Sequence, residues 1–258
     1  MDKIFCYSGT GNCLSSAKQL ASELDMEVVH ITDELACAKT IFSGKVGIVI
    51  FPVYAYGMPK TVKRFILNNT FEFKYLAVLT TFGSRALGTY AEAIRLFRKR
   101  KQRVSYTSGT LSVENYVHMF KLPSEERIAE LQQIQHQTTK DLASAIKERK
   151  TNKRCSFRPI SAMISFFFRL ASRTFAKRYR ITDECTGCKF CYKICPANAI
   201  EMEIKNNKNV PKFIPKKCDH CQGCMQLCPK RAIRFGNVKP TSRRYRHRDV
   251  KVDEMVKR

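Results

Sequence analysis

Eight cysteines recur in two copies of one pattern. Ile181-x3-Cys185-x2-Cys188-x2-Cys191-x3-Cys195-Pro196-x2-Ala199-Ile200 returns as Ile214-x3-Cys218-x2-Cys221-x2-Cys224-x3-Cys228-Pro229-x2-Ala232-Ile233, with every named position displaced by 33 residues. A duplicated unit this small has little apolar surface of its own, so something other than a hydrophobic core must hold it. Three cysteines spaced by three place their thiolates around a tight loop, where they can cap three corners of a cubane. The fourth, just before proline, lies at the start of a short helix, and in a two-cluster arrangement it ligates the other cluster. On that pattern Cys185, Cys188, Cys191 and Cys228 hold one [4Fe–4S] cluster, and Cys218, Cys221, Cys224 and Cys195 hold the second. Crossing the ligands staples the two halves together. Pro196 and Pro229 suit a first helical turn, where a missing N–H costs nothing. A pair of zinc sites is the competing reading. Zinc would use two C-x2-C pairs per site and leave the third cysteine and the Cys-Pro without a purpose.

The repeat resembles the bacterial two-cluster ferredoxin at all eight cysteines and both prolines. Twelve cysteines in a chain without a secretion signal are expected to be ligands or thiols rather than disulfides. The other four, Cys6, Cys13, Cys37 and Cys155, form no ligand-spaced group, and Cys6 reads as a small buried hydrophobe within a strand. His220, between two cluster cysteines, is expected at the surface.

Charge divides the chain. Of 47 basic and 22 acidic residues, ten basic and no acidic ones fall between Arg149 and Arg180. That run reads as a helical basic linker, 149–180, between a first domain (1–148) and the cysteine-rich domain (181–238), with a basic tail at 239–258. No apolar stretch reaches the ~18 residues a membrane helix needs, and the N-terminus meets a glycine turn before a signal-peptide core could form. The expectation is a soluble, cytoplasmic protein.

The first domain alternates apolar runs with helical patterns. Ile4–Tyr7, Val46–Phe51 and Leu76–Thr80 are unbroken apolar runs, the kind a parallel sheet buries on both faces. Val28–Ile31 and Val104–Thr110 are weaker strand candidates. Leu14, Ala17, Leu20, Ala21 and Leu24 share one helical face, and further helices are expected near Pro59–Leu67, Leu87–Arg100 and Ser124–Arg149. Strand alternating with helix predicts an α/β doubly wound parallel sheet of about five strands, followed by a small α+β cluster domain.

Ser8-Gly9-Thr10-Gly11-Asn12-Cys13 joins the first strand to the first helix. Its backbone N–H groups, the hydroxyls of Ser8 and Thr10 and the helix N-terminus favour an anion. The third glycine of the dinucleotide fingerprint is missing, as is a P-loop lysine. The run resembles the flavodoxin loop for FMN phosphate, (S/T)-x-T-G-x-(S/T), through Ser8, Thr10 and Gly11; it departs at Cys13, where a thiol stands for a hydroxyl. Two more loops are expected at the same sheet edge. Tyr54-Ala55-Tyr56-Gly57 offers two rings for stacking on an isoalloxazine, and Phe82-Gly83 offers a backbone turn beside its edge.

Taken in order, the chain resembles the flavodoxin–ferredoxin fusion family, sometimes called ferrodoxins. The likeness includes Pro52-Val53-Tyr54 with Gly57 and Pro59, Glu114-Asn115-Tyr116, and Arg244-Tyr245-Arg246-His247. It departs at Ser112-Val113, where the family tends to have Met-Pro. The resemblance implies intracellular electron transfer between two [4Fe–4S] clusters and an FMN. A flavin-dependent reductase of a small organic substrate and a basic binding module are the alternatives. With clusters and FMN bound, the formal charge of +25 would fall to about +19, so the surface stays basic. The expected partners are acidic redox proteins, a ferredoxin, flavodoxin or reductase. No nucleic acid is expected. Residues 160–180 alternate basic and apolar, as an interfacial helix on an anionic membrane would, or as a helix packing Phe166, Phe167, Leu170 and Phe175 between the domains.

Overall fold

A computed structural model describes residues 1–152, 159–205, 207–236, 238–239 and 241–256; the side chains of 159, 161–162, 169–173 and 175 also lie outside the description. Five strands, β1 (Lys3–Cys6), β2 (Glu27–His30), β3 (Ile41–Pro52), β4 (Thr70–Phe82) and β5 (Tyr106–Leu111), form one parallel sheet in the order β2-β1-β3-β4-β5. This is the doubly wound order in which ligands bind beyond the carboxyl ends of the strands. Five helices connect them and follow: α1 (Asn12–Leu24), α2 (Asp33–Cys37), α3 (Lys60–Asn68), α4 (Thr89–Lys99) and α5 (Glu125–Lys147).

Why the apolar runs are unbroken is plain from the two faces they fill. Side chains alternate across a strand. Ile4, Cys6, Ile48, Ile50, Ala77 and Leu79 pack under α1 and α5. Their neighbours Phe5, Tyr7, Val49, Phe51, Leu76 and Val78 pack on the opposite side, with Val62, Phe65 and Ile66 of α3 and Ala93, Leu96 and Phe97 of α4. Phe5 meets Phe42 edge-on and Phe65 at a tilt, with ring separations of 4.7 and 5.2 Å. Cys6 is fully buried within the strand.

The cysteine-rich region is a repeat in its backbone as well as in its sequence. Short helices α7 (Phe190–Lys193) and α8 (Gly223–Gln226) follow α6 (Pro159–Ala176), and four strands complete two small antiparallel sheets. β6 (Tyr179–Ile181) pairs with β9 (Ile233–Phe235), and β7 (Ile200–Lys205) with β8 (Lys208–Phe213). Left-handed residues recur at the repeat distance: Gly187 and His220, Lys189 and Gln222, Asn198 and Arg231. The linker therefore ends inside this region, because Tyr179 and Arg180 are already strand.

Two expectations are corrected. His220 is 2% exposed rather than superficial, since its loop faces the first domain. Phe166 and Phe167 are 60% and 58% exposed; the inward face of α6 carries Ser165, Phe168 and Ala176 instead. The Leu170 and Phe175 side chains and Cys155 lie outside the described residues.

The basic tail folds back over α1. Tyr245, His247, Val250 and Met255 are buried, and Val250 and Met255 join the cluster around Cys13, Leu14 and Ala17. Tyr245 Oη donates to Asn12 Oδ1 at 2.6 Å, and the His247 amide donates to the Thr10 carbonyl at 3.0 Å. Burial pushes the His247 imidazole down to about 4, a shift Asp249 opposes and Arg248 reinforces. Because the unfolded side chain titrates near 6.5, the stability His247 contributes is complete above that pH and fades as pH falls toward 4. The loss should approach about 3 kcal/mol. Thermal midpoints of the parent and of His247→Gln, followed from pH 7 to pH 4, should diverge over that window; parallel curves would show that the tail is not held by a neutral imidazole.

Candidate functional site

At the carboxyl edge of the five-stranded sheet lies a cavity of about 340 Å³, the size range of a small-cofactor site. Four loops build its walls, and the first is the loop between β1 and α1. Gly11 takes φ 106° to turn the chain into α1, and its amide donates to Ser8 Oγ at 3.1 Å. Ser8, Gly9, Thr10, Asn12 and Cys13 line the cavity, whereas Gly11 does not. Cys13 Sγ sits 3.1 Å from Thr81 Oγ1, and burial holds its thiol well above the ordinary range. At this position the chain thus presents a neutral, hydroxyl-paired thiol.

The loop after β3 is a two-residue hairpin. Tyr54 and Gly57 exchange backbone hydrogen bonds of 2.9 and 3.0 Å, and Ala55 and Tyr56 between them hold φ of 46° and 60°. Turns of this kind favour Asn and Gly, so two side chains with Cβ atoms here store local strain. Tyr54, Ala55 and Tyr56 line the cavity; Gly57 lies behind it, against Ser165 of α6. Phe82 and Gly83 line the next wall. A methyl on Gly83 would lie 2.9 Å from Glu114 Cβ, so a larger residue here would have to displace that side chain.

The fourth loop, Ser112 to Tyr116 after β5, was not among the expected site residues. The rule that pointed to the other loops points equally to this one, since β5 ends at the same edge. Asn12 Nδ2 donates to Ser112 Oγ and to the Val113 carbonyl at 3.3 and 3.1 Å, and Asn115 Nδ2 donates to Thr10 Oγ1 at 2.7 Å. These bonds pin the loop to the start of α1. The Tyr116 hydroxyl is buried at the cavity and has no hydrogen-bond partner among the described residues, so a polar ligand atom there would satisfy it.

Behind the cavity stands the cysteine-rich region. His220 and Cys221 are part of its lining. A methyl on Gly9 would lie 2.7 Å from Cys221 Cβ, and one on Gly223 would lie 2.5 Å from the Gly9 carbonyl oxygen. The two loops touch through glycine because nothing larger fits. Asp219 locks the contact: its carboxylate accepts from Tyr7 Oη at 3.0 Å and from the Lys60 and Thr61 amides at 2.9 and 3.2 Å.

The eight repeat cysteines fall into two groups. Cys185, Cys188, Cys191 and Cys228 surround one small cavity. Burial, then Cys188, Cys228 and Cys185, push the Cys191 thiol up to about 12. Cys224 is raised by burial, then by Cys221, Cys218 and Cys195, and it also senses Cys191 of the first group. Cys228 thus lies beside Cys185, Cys188 and Cys191, and Cys195 beside Cys218, Cys221 and Cys224. Backbone amides of Ala199 and His220 donate to Cys195 Sγ and Cys218 Sγ at 3.3 and 3.4 Å. Among the described residues no three His, Cys, Asp or Glu side chains converge as a single metal ion requires. Thiols raised by burial ionise when bound iron supplies positive charge, so the donor set fits clusters.

Residues 184–232 match the 4Fe-4S dicluster domain. The small C-terminal unit is of ferredoxin type, and the sheet before it is flavodoxin-like. The match supports iron–sulfur clusters in this unit. Among solved structures, the chain is similar to the Trp repressor binding protein of Bacillus subtilis, at 16% identity over 56% of this chain and 96% of that one, with a TM-score of 0.36. It is also similar to Megasphaera elsdenii flavodoxin, at 15% identity over 43% and 85%, with a TM-score of 0.34. No curated protein matches the chain. Among the described residues no helix is long and apolar enough to cross a membrane.

Proposed function

We propose that this chain is a cytoplasmic electron-transfer protein in which two [4Fe–4S] clusters and an FMN form one relay, of the flavodoxin–ferredoxin fusion type. When bound, the clusters supply single-electron steps and the flavin one- or two-electron steps. The observation that carries the reading is the position of Cys221. It belongs to the second group of cysteines and also lines the cavity that Ser8–Cys13 and Tyr54–Tyr56 build. Ser8, Thr10 and the first amides of α1 would hold the phosphate, Tyr54 and Tyr56 the ring, and Tyr116 a polar edge. The close Gly9–Cys221 contact would leave no room for water between the two sites.

The order of the relay follows from exposure. Cys188, in the group remote from the flavin cavity, is exposed, as are Lys189, Lys193, Lys230 and Arg231 around it. An acidic redox protein, a ferredoxin, flavodoxin or reductase, would dock there and exchange electrons with the outer cluster. A flavin-dependent reductase is the second reading. Met119 and Phe120, 65% and 51% exposed, give the cavity an apolar mouth suited to a small organic acceptor.

Strictly anaerobic purification followed by iron, sulfide and flavin analysis tests the relay. About eight iron, eight sulfide and one FMN per chain are expected. Full iron and sulfide without flavin would leave a ferredoxin on an unrelated scaffold, and zinc in their place would remove the redox reading.

A further inference from the structure

The outward face of α6 is apolar. Ile160, Met163, Ile164 and Phe167, at the i, i+3, i+4, i+7 spacing of one helical face, are 68%, 53%, 41% and 58% exposed, and Phe166 beside them is 60% exposed. Among the described side chains the inward face carries Ser165, which is 4% exposed and sits on Gly57, with Phe168 and Ala176. Most of the helix's described large apolar residues point out instead. Isolated exposed apolar residues need no explanation, but five within two turns of one helix do. Met119 and Phe120 are exposed as well, and they share with Ile164 the lining of the flavin cavity, so the apolar stripe runs to its mouth.

We propose that α6 docks the protein on an anionic lipid bilayer, lying in the interface with Ile160, Met163, Ile164 and Phe167 among the acyl chains. Charge selects this occupant. The run from Arg149 to Arg180 holds ten basic residues and no acidic one. Lys177, Arg178 and Arg180 after the helix are exposed, so cationic side chains follow the stripe at its C-terminal end. Lipid phosphates would take those charges while the acyl region takes the apolar residues, the division of labour of interfacial helices. The helix is held to the protein by Ser165, Phe168 and Ala176, so docking needs no unfolding. It turns the mouth of the flavin cavity toward the lipid.

The chain contains no tryptophan, which supplies a clean probe. The full-length, cluster-loaded protein is mixed with vesicles of phosphatidylcholine alone, or with about 30% phosphatidylglycerol, and floated on a density gradient. The protein should rise with the anionic vesicles and far less with neutral ones. The double variant Ile160→Glu/Phe167→Glu should lower the bound fraction about tenfold while keeping its iron content and thermal midpoint. In Phe167→Trp the single indole emission should shift to the blue when anionic vesicles are added. Failure of the parent to float, or flotation unaffected by the glutamate pair, overturns the proposal. So does an indole already blue-shifted without lipid in a chain that sediments as a dimer, which would assign the stripe to a second copy. Retention only by an acidic protein would assign it to a protein partner and overturn the proposal equally.

Discussion

Asp219→Ala should lower stability by about 3–5 kcal/mol, from the loss of the acceptor for two buried donors and one part-buried donor at about 1–3 kcal/mol each. The residue belongs to the second cysteine loop, yet it acts as the N-terminal cap of α3. That helix begins after Pro59, which offers no side-chain cap, so the Lys60 and Thr61 amides take the carboxylate of Asp219, more than 150 residues away in sequence. Tyr7 Oη, itself fully buried in β1's extension, completes the set. A negative charge at a helix N-terminus is favourable, but full burial opposes it and raises the Asp219 pKa, the amide and hydroxyl bonds pulling the other way. Alanine removes the acceptors and leaves every donor in place. Asparagine keeps one oxygen and sets an amide against the other donors, so Asp219→Asn should fall between. The thermal midpoint should drop by about 10 °C in the alanine variant, and electron exchange between the two halves should slow as the Gly9–Cys221 contact opens. A midpoint within a degree or two of the parent would mean that the loops stay together without this carboxylate.

What the sequence disclosed and what it hid divide along the range of the forces involved. β1, β3 and β4 are legible because both faces are covered and every position is apolar. β3 nonetheless starts at Ile41, five residues before that run, since Ile41–Lys45 pairs with β4 at a partly exposed edge and carries no unbroken pattern. α2 has five residues, too few for a period; it is set by Thr32 accepting from the Leu35 amide and by Pro196 of the distant repeat accepting from Asp33. Of the cavity lining, Ser8–Thr10, Asn12, Cys13, Tyr54–Tyr56 and Phe82–Gly83 were readable from motif and topology, whereas Gly11 and Gly57 lie off it. The contributions of His220 and Cys221 were not, because the docking of two domains leaves no local mark in either. The same holds for the tail, where Tyr245 and His247 look like part of a basic run and are in fact packed on the start of α1. In α6 the apolar residues were visible, but which face they occupy was decided by Ser165 fitting where a larger side chain could not.

The cysteine repeat also sets the largest effect expected of any single manipulation, the removal of iron. The small domain's own apolar cluster consists of Tyr179, Met225, Ile233 and Phe235, and the side chains packed around it include Cys191, Cys218, Cys224 and Cys228. Its sheets are a three-residue pairing and one hairpin, and its helices have four residues each. A unit of this size with so small a core is marginal without a staple. The cysteines gather at the centre where a core would be, so clusters held there would make ligand binding and folding one equilibrium. Chelation under reducing conditions should therefore open residues 182–236 to proteolysis within minutes while the five-stranded sheet, with its own two-sided core, survives as a resistant fragment. Flavin affinity should fall with it, because His220 and Cys221 leave the cavity wall. Single substitutions separate the two groups: Cys188→Ala should remove about four of eight iron from the exposed group and leave Asp219 and the cavity wall in place, whereas Cys224→Ala should remove the inner four and weaken flavin binding as well. An iron-free chain that still resists protease across 182–236 would show that packing alone sustains the repeat.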